Sequence, residues 1–132
     1  MKYNRKVFGY ECDIYGHLNN ANYLHLYEEA RADALEEMDM SVGELNKQGI
    51  NIYLSEIKLT FKIGLPVGEK VVIDTRMIQA TRATSIWKQE IFNSADELCN
   101  IAIVRGVFIK NGKPFRISKE LFEDYKKYIQ PE

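Results

Sequence analysis

At Gly49 the chain changes the spacing of its apolar residues, and that change limits what it can fold into. From Ala21 to Met38 the residues Leu24, Tyr27, Ala30, Ala34, Leu35 and Met38 recur mostly at steps of three and four, with Glu28, Glu29, Arg31 and Glu36 between them. That spacing predicts one long helix with an apolar stripe. After Gly49 the period becomes two. Ile50, Ile52 and Leu54 share one parity, while Ile57, Leu59, Phe61 and Ile63 share the other. The parity switch at Ser55-Glu56 predicts a strand carrying a bulge.

Further strand-like runs cover Val71 to Ile78, Ser85 to Phe92 and Ile101 to Ile109, with turns predicted at 64–68, 93–97 and 110–114. Before the helix, Tyr3 to Glu11 carries Tyr3, Val7, Phe8 and Tyr10 among charged residues and is predicted as a strand. Ser41-Val42-Gly43-Glu44 has the form of a capping box for a short helix ending near Gly49. Leu121, Phe122, Tyr125, Tyr128 and Ile129 make a last amphipathic helix after a Ser118 cap. The turns are too short to hold crossover helices, so consecutive strands are expected to pair antiparallel. Ile50 to Ile109 is therefore predicted to form one meandering sheet, to which the first strand adds. Such a sheet needs one face covered, and the long helix is the only element large enough to cover it. The expectation is a two-layer α+β domain spanning residues 1–132.

Composition narrows the function. The 18 Lys+Arg and 19 Asp+Glu leave a net charge of -1 with no long block of one sign. Nothing there suggests a nucleic-acid footprint. Cys12 and Cys99 match no metal spacing, no apolar run approaches a membrane span, and the start Met-Lys-Tyr-Asn-Arg lacks a signal peptide's apolar stretch. A cytoplasmic protein without metal or cofactor is the expectation. Gly64-x3-Gly68-Glu69-Lys70 has the wrong spacing for a phosphate loop, with Glu69 where Lys is needed.

The chemistry concentrates between Cys12 and Asn20, where Asp13, His17, Asn19 and Asn20 precede the helix. Free N–H groups and the positive end of a helix dipole favour a developing negative charge, such as a thioester carbonyl oxygen turning tetrahedral. A carboxylate beside it can attack or activate water. The same residue types also serve as loop and capping residues, and the residue types alone leave both readings open.

The stretch from Phe8 to Leu24, with Asp13-Ile14-Tyr15-Gly16-His17-Leu18-Asn19-Asn20 at its centre, continues through Tyr27-Glu28-Glu29-Ala30-Arg31. It resembles the signature of the 4-hydroxybenzoyl-CoA thioesterase group of hotdog proteins. The resemblance implies a hotdog fold, an antiparallel five- to six-stranded sheet wrapped around one long helix, and hydrolysis of acyl thioesters. It places the family's catalytic carboxylate on Asp13, with the Asp-x-x-Gly pattern intact through Gly16, and the N–H that polarises the thioester carbonyl at about Asn20. His17, Asn19 and Asn20 match the His-x-Asn-Asn branch, which includes acyl-ACP thioesterases and bacterial long-chain acyl-CoA hydrolases. For His17 the expected role is orienting the loop or water. The Asn-Pro-x-His helix signature of hotdog hydratases is absent, which disfavours hydration.

Gly16, Asn19, Tyr23, Arg82, Thr84 and Ser85 complete the expected substrate contacts. Arg82 resembles the family's Arg-rich strand start, and Lys58 and Lys62 are further candidates for the nucleotide end of CoA. Tyr15, Tyr23, Tyr27 and Tyr53 are candidates for the acyl pocket, and His25 is expected to be structural or at a subunit contact. The expected substrate is a medium- or long-chain or aromatic acyl-CoA, bound at a site shared in a homodimer or homotetramer. An acyl-ACP substrate, or a module that holds acyl thioesters or partner proteins without turnover, stands as the alternative.

Overall fold

In the computed structural model, which describes residues 1–132, the long helix α1 spans Tyr23–Glu37 and is cradled by a curled antiparallel sheet. Tyr23, Leu26, Tyr27, Ala30 and Ala34 form the buried stripe of α1. Leu26, not Leu24, belongs to it. Leu24 lies one helical step off the stripe and is exposed. Truncating Leu26, which is fully buried, should cost about 2–5 kcal/mol. A 3-10 turn at Asn20–Asn22 precedes α1, so the expected helix start at Ala21 shifts by two residues.

The strands are β1 Lys2–Lys6, β2 Ile50–Phe61, β3 Lys70–Ala80, β4 Thr84–Phe92, β5 Leu98–Lys110 and the two-residue β6 Lys113–Pro114. β1 is shorter than expected because Gly9–Glu11 closes into a 3-10 turn. The sheet runs β1-β3-β4-β5-β2, with β6 beside β5. That order corrects the predicted meander. β2 pairs with β5 and not with β3, so the segment around 64–68 is no hairpin turn but a connection across the sheet. A turn signal reports only that the chain bends, and the period-two pattern does not say which strand it joins. The predicted bulge is present, as a register shift between Leu54 and Glu56.

The short helix α2, Val42–Lys47, is capped by Ser41 Oγ accepting from Glu44 N–H at 3.2 Å. Helix α3, Lys119–Lys126, is capped by Ser118 Oγ accepting from Leu121 N–H at 3.1 Å. No helix is long and apolar enough to cross a membrane.

Candidate active site at the start of helix α1

The loop that carries Asp13 is held at both ends by backbone bonds. Asp13 N–H donates to His17 O at 3.0 Å and Gly16 N–H returns to Asp13 O at 3.0 Å. Gly16 has φ +78°, a conformation that L side chains rarely adopt, so the tight reversal needs glycine here. Leu18, buried, donates to Leu65 O at 2.7 Å and ties the loop to the 62–69 connection.

Beneath the loop lies Glu11, only 6% exposed. Its carboxylate accepts from the Arg5 guanidinium and from Phe8 N–H, the latter at 2.9 Å. Burial by itself would raise the Glu11 pKa, but the Arg5 hydrogen bond, the Phe8 N–H and the Arg5 charge hold the carboxyl below its ordinary range. The backbone carbonyl of Glu11 accepts from Asn19 N–H at 3.0 Å and from Asn22 Nδ2 at 2.8 Å, so the main chain of this residue anchors the entry to the helix.

Asp13 Oδ1 accepts from Tyr15 N–H at 2.9 Å, and no donor within the chain reaches Oδ2. Asn19 Oδ1 caps the turn by accepting from Ala21 N–H at 3.0 Å. The Asn20 N–H finds no acceptor within the chain. Asp13, with an unpaired carboxylate oxygen, and Asn20, with an unpaired N–H at a helix start, thus line one cleft of about 530 Å³, walled also by His17, Tyr23, Phe61 and Lys62. Tyr23 and Phe61 meet edge to face with ring centroids 5.1 Å apart.

Sequence reasoning brought Asp13, His17, Asn20 and Tyr23 to this cleft, but it missed Phe61, Ile63 and Gly64, which line it from the far end of β2. Only the crossing of the sheet puts them there. Lys62, expected at the nucleotide end of CoA, stands in the wall of the Asp13 cleft itself. Gly16 shapes the loop and Asn19 caps, and neither lines the cleft.

Arg82, Thr84 and Ser85, expected as substrate contacts towards the nucleotide end of CoA, do not line the Asp13 cleft of the same protomer. Arg82 Nε donates to Ile117 O at 2.8 Å and fastens the segment before α3. Thr84 shares a hydroxyl hydrogen bond with Thr81 at 2.9 Å. Ser85 is buried, and its Oγ accepts from Trp87 Nε1 at 2.9 Å. Tyr27 is core, its hydroxyl donating to Asn100 Oδ1 at 2.6 Å, and Tyr53 is exposed away from the Asp13 cleft, whereas Tyr15, also exposed, lines that cleft. Burial, then Asp13 and Glu11, push the Cys12 thiol up, which makes it a poor nucleophile.

Residues 8–124 match the sequence model of the thioesterase-like superfamily. The chain is similar to the long-chain acyl-CoA thioesterase FadM of Escherichia coli, with 32% identity over 91 residues that make up 69% of this chain and 68% of that protein. It is also similar to the acyl-acyl carrier protein thioesterase ATL3 of Arabidopsis thaliana, with 33% identity over 82 residues, 62% of this chain and 43% of that protein. Among solved structures, the DHNA-CoA thioesterase of Staphylococcus aureus superposes with a TM-score of 0.90 at 27% identity, covering 96% of this chain and 88% of that one. Sequence match and superposition agree over nearly the whole length, and the chain belongs to the thioesterase-like superfamily as a thioester hydrolase of the hotdog fold.

Proposed function

We propose that the chain hydrolyses acyl-CoA thioesters at the Asp13 cleft, releasing a free acid and CoA, with medium- or long-chain or aromatic acyl groups as substrates. The observation that carries this reading is that Asp13, whose Oδ2 is free, and Asn20, whose N–H is free, line the same cleft. The thioester carbonyl oxygen accepts from the Asn20 N–H, and the positive end of α1 favours the charge that grows on it. Asp13 either takes a proton from the attacking water or attacks the carbonyl carbon itself, forming an anhydride that water then cleaves. In both routes the C–S bond breaks, the thiolate of CoA leaves and takes up a proton, and one water is consumed. His17 orients water or the loop, and Lys62 offers a positive charge to the CoA end. The similarity to a long-chain acyl-CoA thioesterase supports the substrate class.

Release of thiol from a panel of acyl-CoAs, followed with a thiol reagent, tests the reading. Turnover of medium- to long-chain or aromatic acyl-CoA is expected, and a strong preference for acetyl-CoA contradicts it. The similarity to a plant acyl-acyl carrier protein thioesterase favours a second donor. The same acyl group presented on CoA and on acyl carrier protein decides between them, and CoA is the expected better donor.

A further inference from the structure

Asn100 interrupts the apolar inner face of β5, where it stands in line with Ala102, Val104 and Phe108, and it is fully buried. A buried amide among apolar residues is costly unless both its oxygen and its nitrogen find partners. Here only one does. Asn100 Oδ1 accepts from the Tyr27 hydroxyl at 2.6 Å, whereas Nδ2 is buried with no acceptor within the chain. Burial pushes the Tyr27 pKa up, so the phenol keeps the proton that it donates. The bond from Tyr27 therefore fixes Oδ1 on the helix side and turns the two N–H donors of Nδ2 away from it.

The register sets Asn100 opposite Phe61 on β2, with both side chains on one face of the sheet. Phe61 lines the Asp13 cleft, and Tyr23, one turn before Tyr27 on α1, meets its ring edge to face. Asn100 thus stands directly behind the wall that Tyr23 and Phe61 make. Tyr23 is buried, but Phe61 is 49% exposed and ends a strand whose outer edge is unpaired, so its ring is the part of the wall with room to turn. Turning it opens the amide to an acyl group in the cleft. A buried N–H without a partner gains most from an oxygen arriving with a ligand, and a plain hydrocarbon chain leaves it unpaired.

We infer that Asn100 is a specificity-determining residue whose Nδ2 donates to an oxygen on the acyl group close to the thioester, so that the preferred substrates are acyl-CoAs oxygenated on the third carbon. The inference rests on the acyl-CoA thioesterase reading. The wall of Tyr23 and Phe61 belongs to the same cleft as Asp13 and Asn20, so the carbons that pass it are the first few after the thioester carbonyl.

The test compares decanoyl-CoA with the two enantiomers of 3-hydroxydecanoyl-CoA on the parent, Asn100→Leu and the double variant Tyr27→Phe/Asn100→Leu. The parent should favour one 3-hydroxy enantiomer over decanoyl-CoA in kcat/KM by about tenfold, the scale of pairing a buried donor that otherwise stays unsatisfied. Both variants should bring the esters to equal kcat/KM. The double variant removes both partners of the Tyr27 bond together, which leaves no stranded hydroxyl and keeps the comparison available should Asn100→Leu fold poorly. Equal turnover of the esters by the parent, the result of Nδ2 meeting only an ordered water, overturns the inference while leaving thioester hydrolysis in place. So does a preference that survives in a folded variant. Turnover of none of the esters overturns both.

Discussion

The imidazole of His17 lies against Gly64 so closely that a Cβ placed on Gly64 would stand 3.0 Å from His17 Cδ2. No side-chain hydrogen bond within the chain holds the ring, so contact with the 62–69 connection is what keeps it at the cleft. Gly64→Ala should therefore displace the ring and lower turnover about as far as His17→Ala does. Paired rate measurements on the two variants check this, and near-parental activity in Gly64→Ala beside a large loss in His17→Ala would show that the contact does not position the ring.

Asp13→Asn keeps an oxygen for the Tyr15 N–H and so preserves the loop, while removing charge and basicity. Turnover should fall on the order of a hundredfold or more, with thermal stability unchanged. Asn20→Ala should cost little, because the proposed oxyanion donor is its backbone N–H. Activity retained by a folded Asp13→Asn protein would move the chemistry to another group.

Glu11 links stability to pH. Its folded pKa lies below its unfolded value, so its contribution is complete above the ordinary carboxylate range and is lost as the pH falls through the lowered folded pKa. Glu11→Gln should lower stability by roughly 2 kcal/mol at neutral pH. Denaturation of parent and variant at pH 7 and at about pH 3 should show the gap narrowing in acid. A gap that stays constant would mean that the carboxylate charge is not what stabilises the fold.

Strand β2 has one free edge, and Tyr53, Leu54, Phe61 and Ile63 on or beside it are exposed. A long apolar edge of this kind calls for a partner, and a second copy of the chain offers the same strand by symmetry. Sedimentation at micromolar concentration should show a dimer or a dimer of dimers. Tyr53→Glu should shift it towards monomer by setting like charges near each other across the edge. A parent protein that sediments as a folded monomer would contradict the assembly.

Much of the architecture was written in local spacing. The three-and-four steps from Ala21 to Met38, the parity switch at Ser55-Glu56 and the Ser41 and Ser118 caps act over a few residues, and each has its counterpart in the fold, the helix starting two residues later and burying Leu26 in place of Leu24. The loop around Asp13 was legible for the same reason, since its reversal at Gly16 and its cap at Asn19 are closed by neighbours. Strand partnership was not legible. Period-two alternation fixes which face a residue takes but not which strand lies beside it, so β2 was misplaced next to β3. That one long-range pairing brings Phe61, Lys62 and Gly64 to Asp13 and sets Ile52 and Leu54 of β2 in one pocket with Arg31. The sequence by itself determined the elements and the loop that presents Asp13, because those depend on contacts a few residues apart. The tertiary structure decided the walls of the cleft, because residues forty or more positions from Asp13 come together there only when the sheet closes around α1.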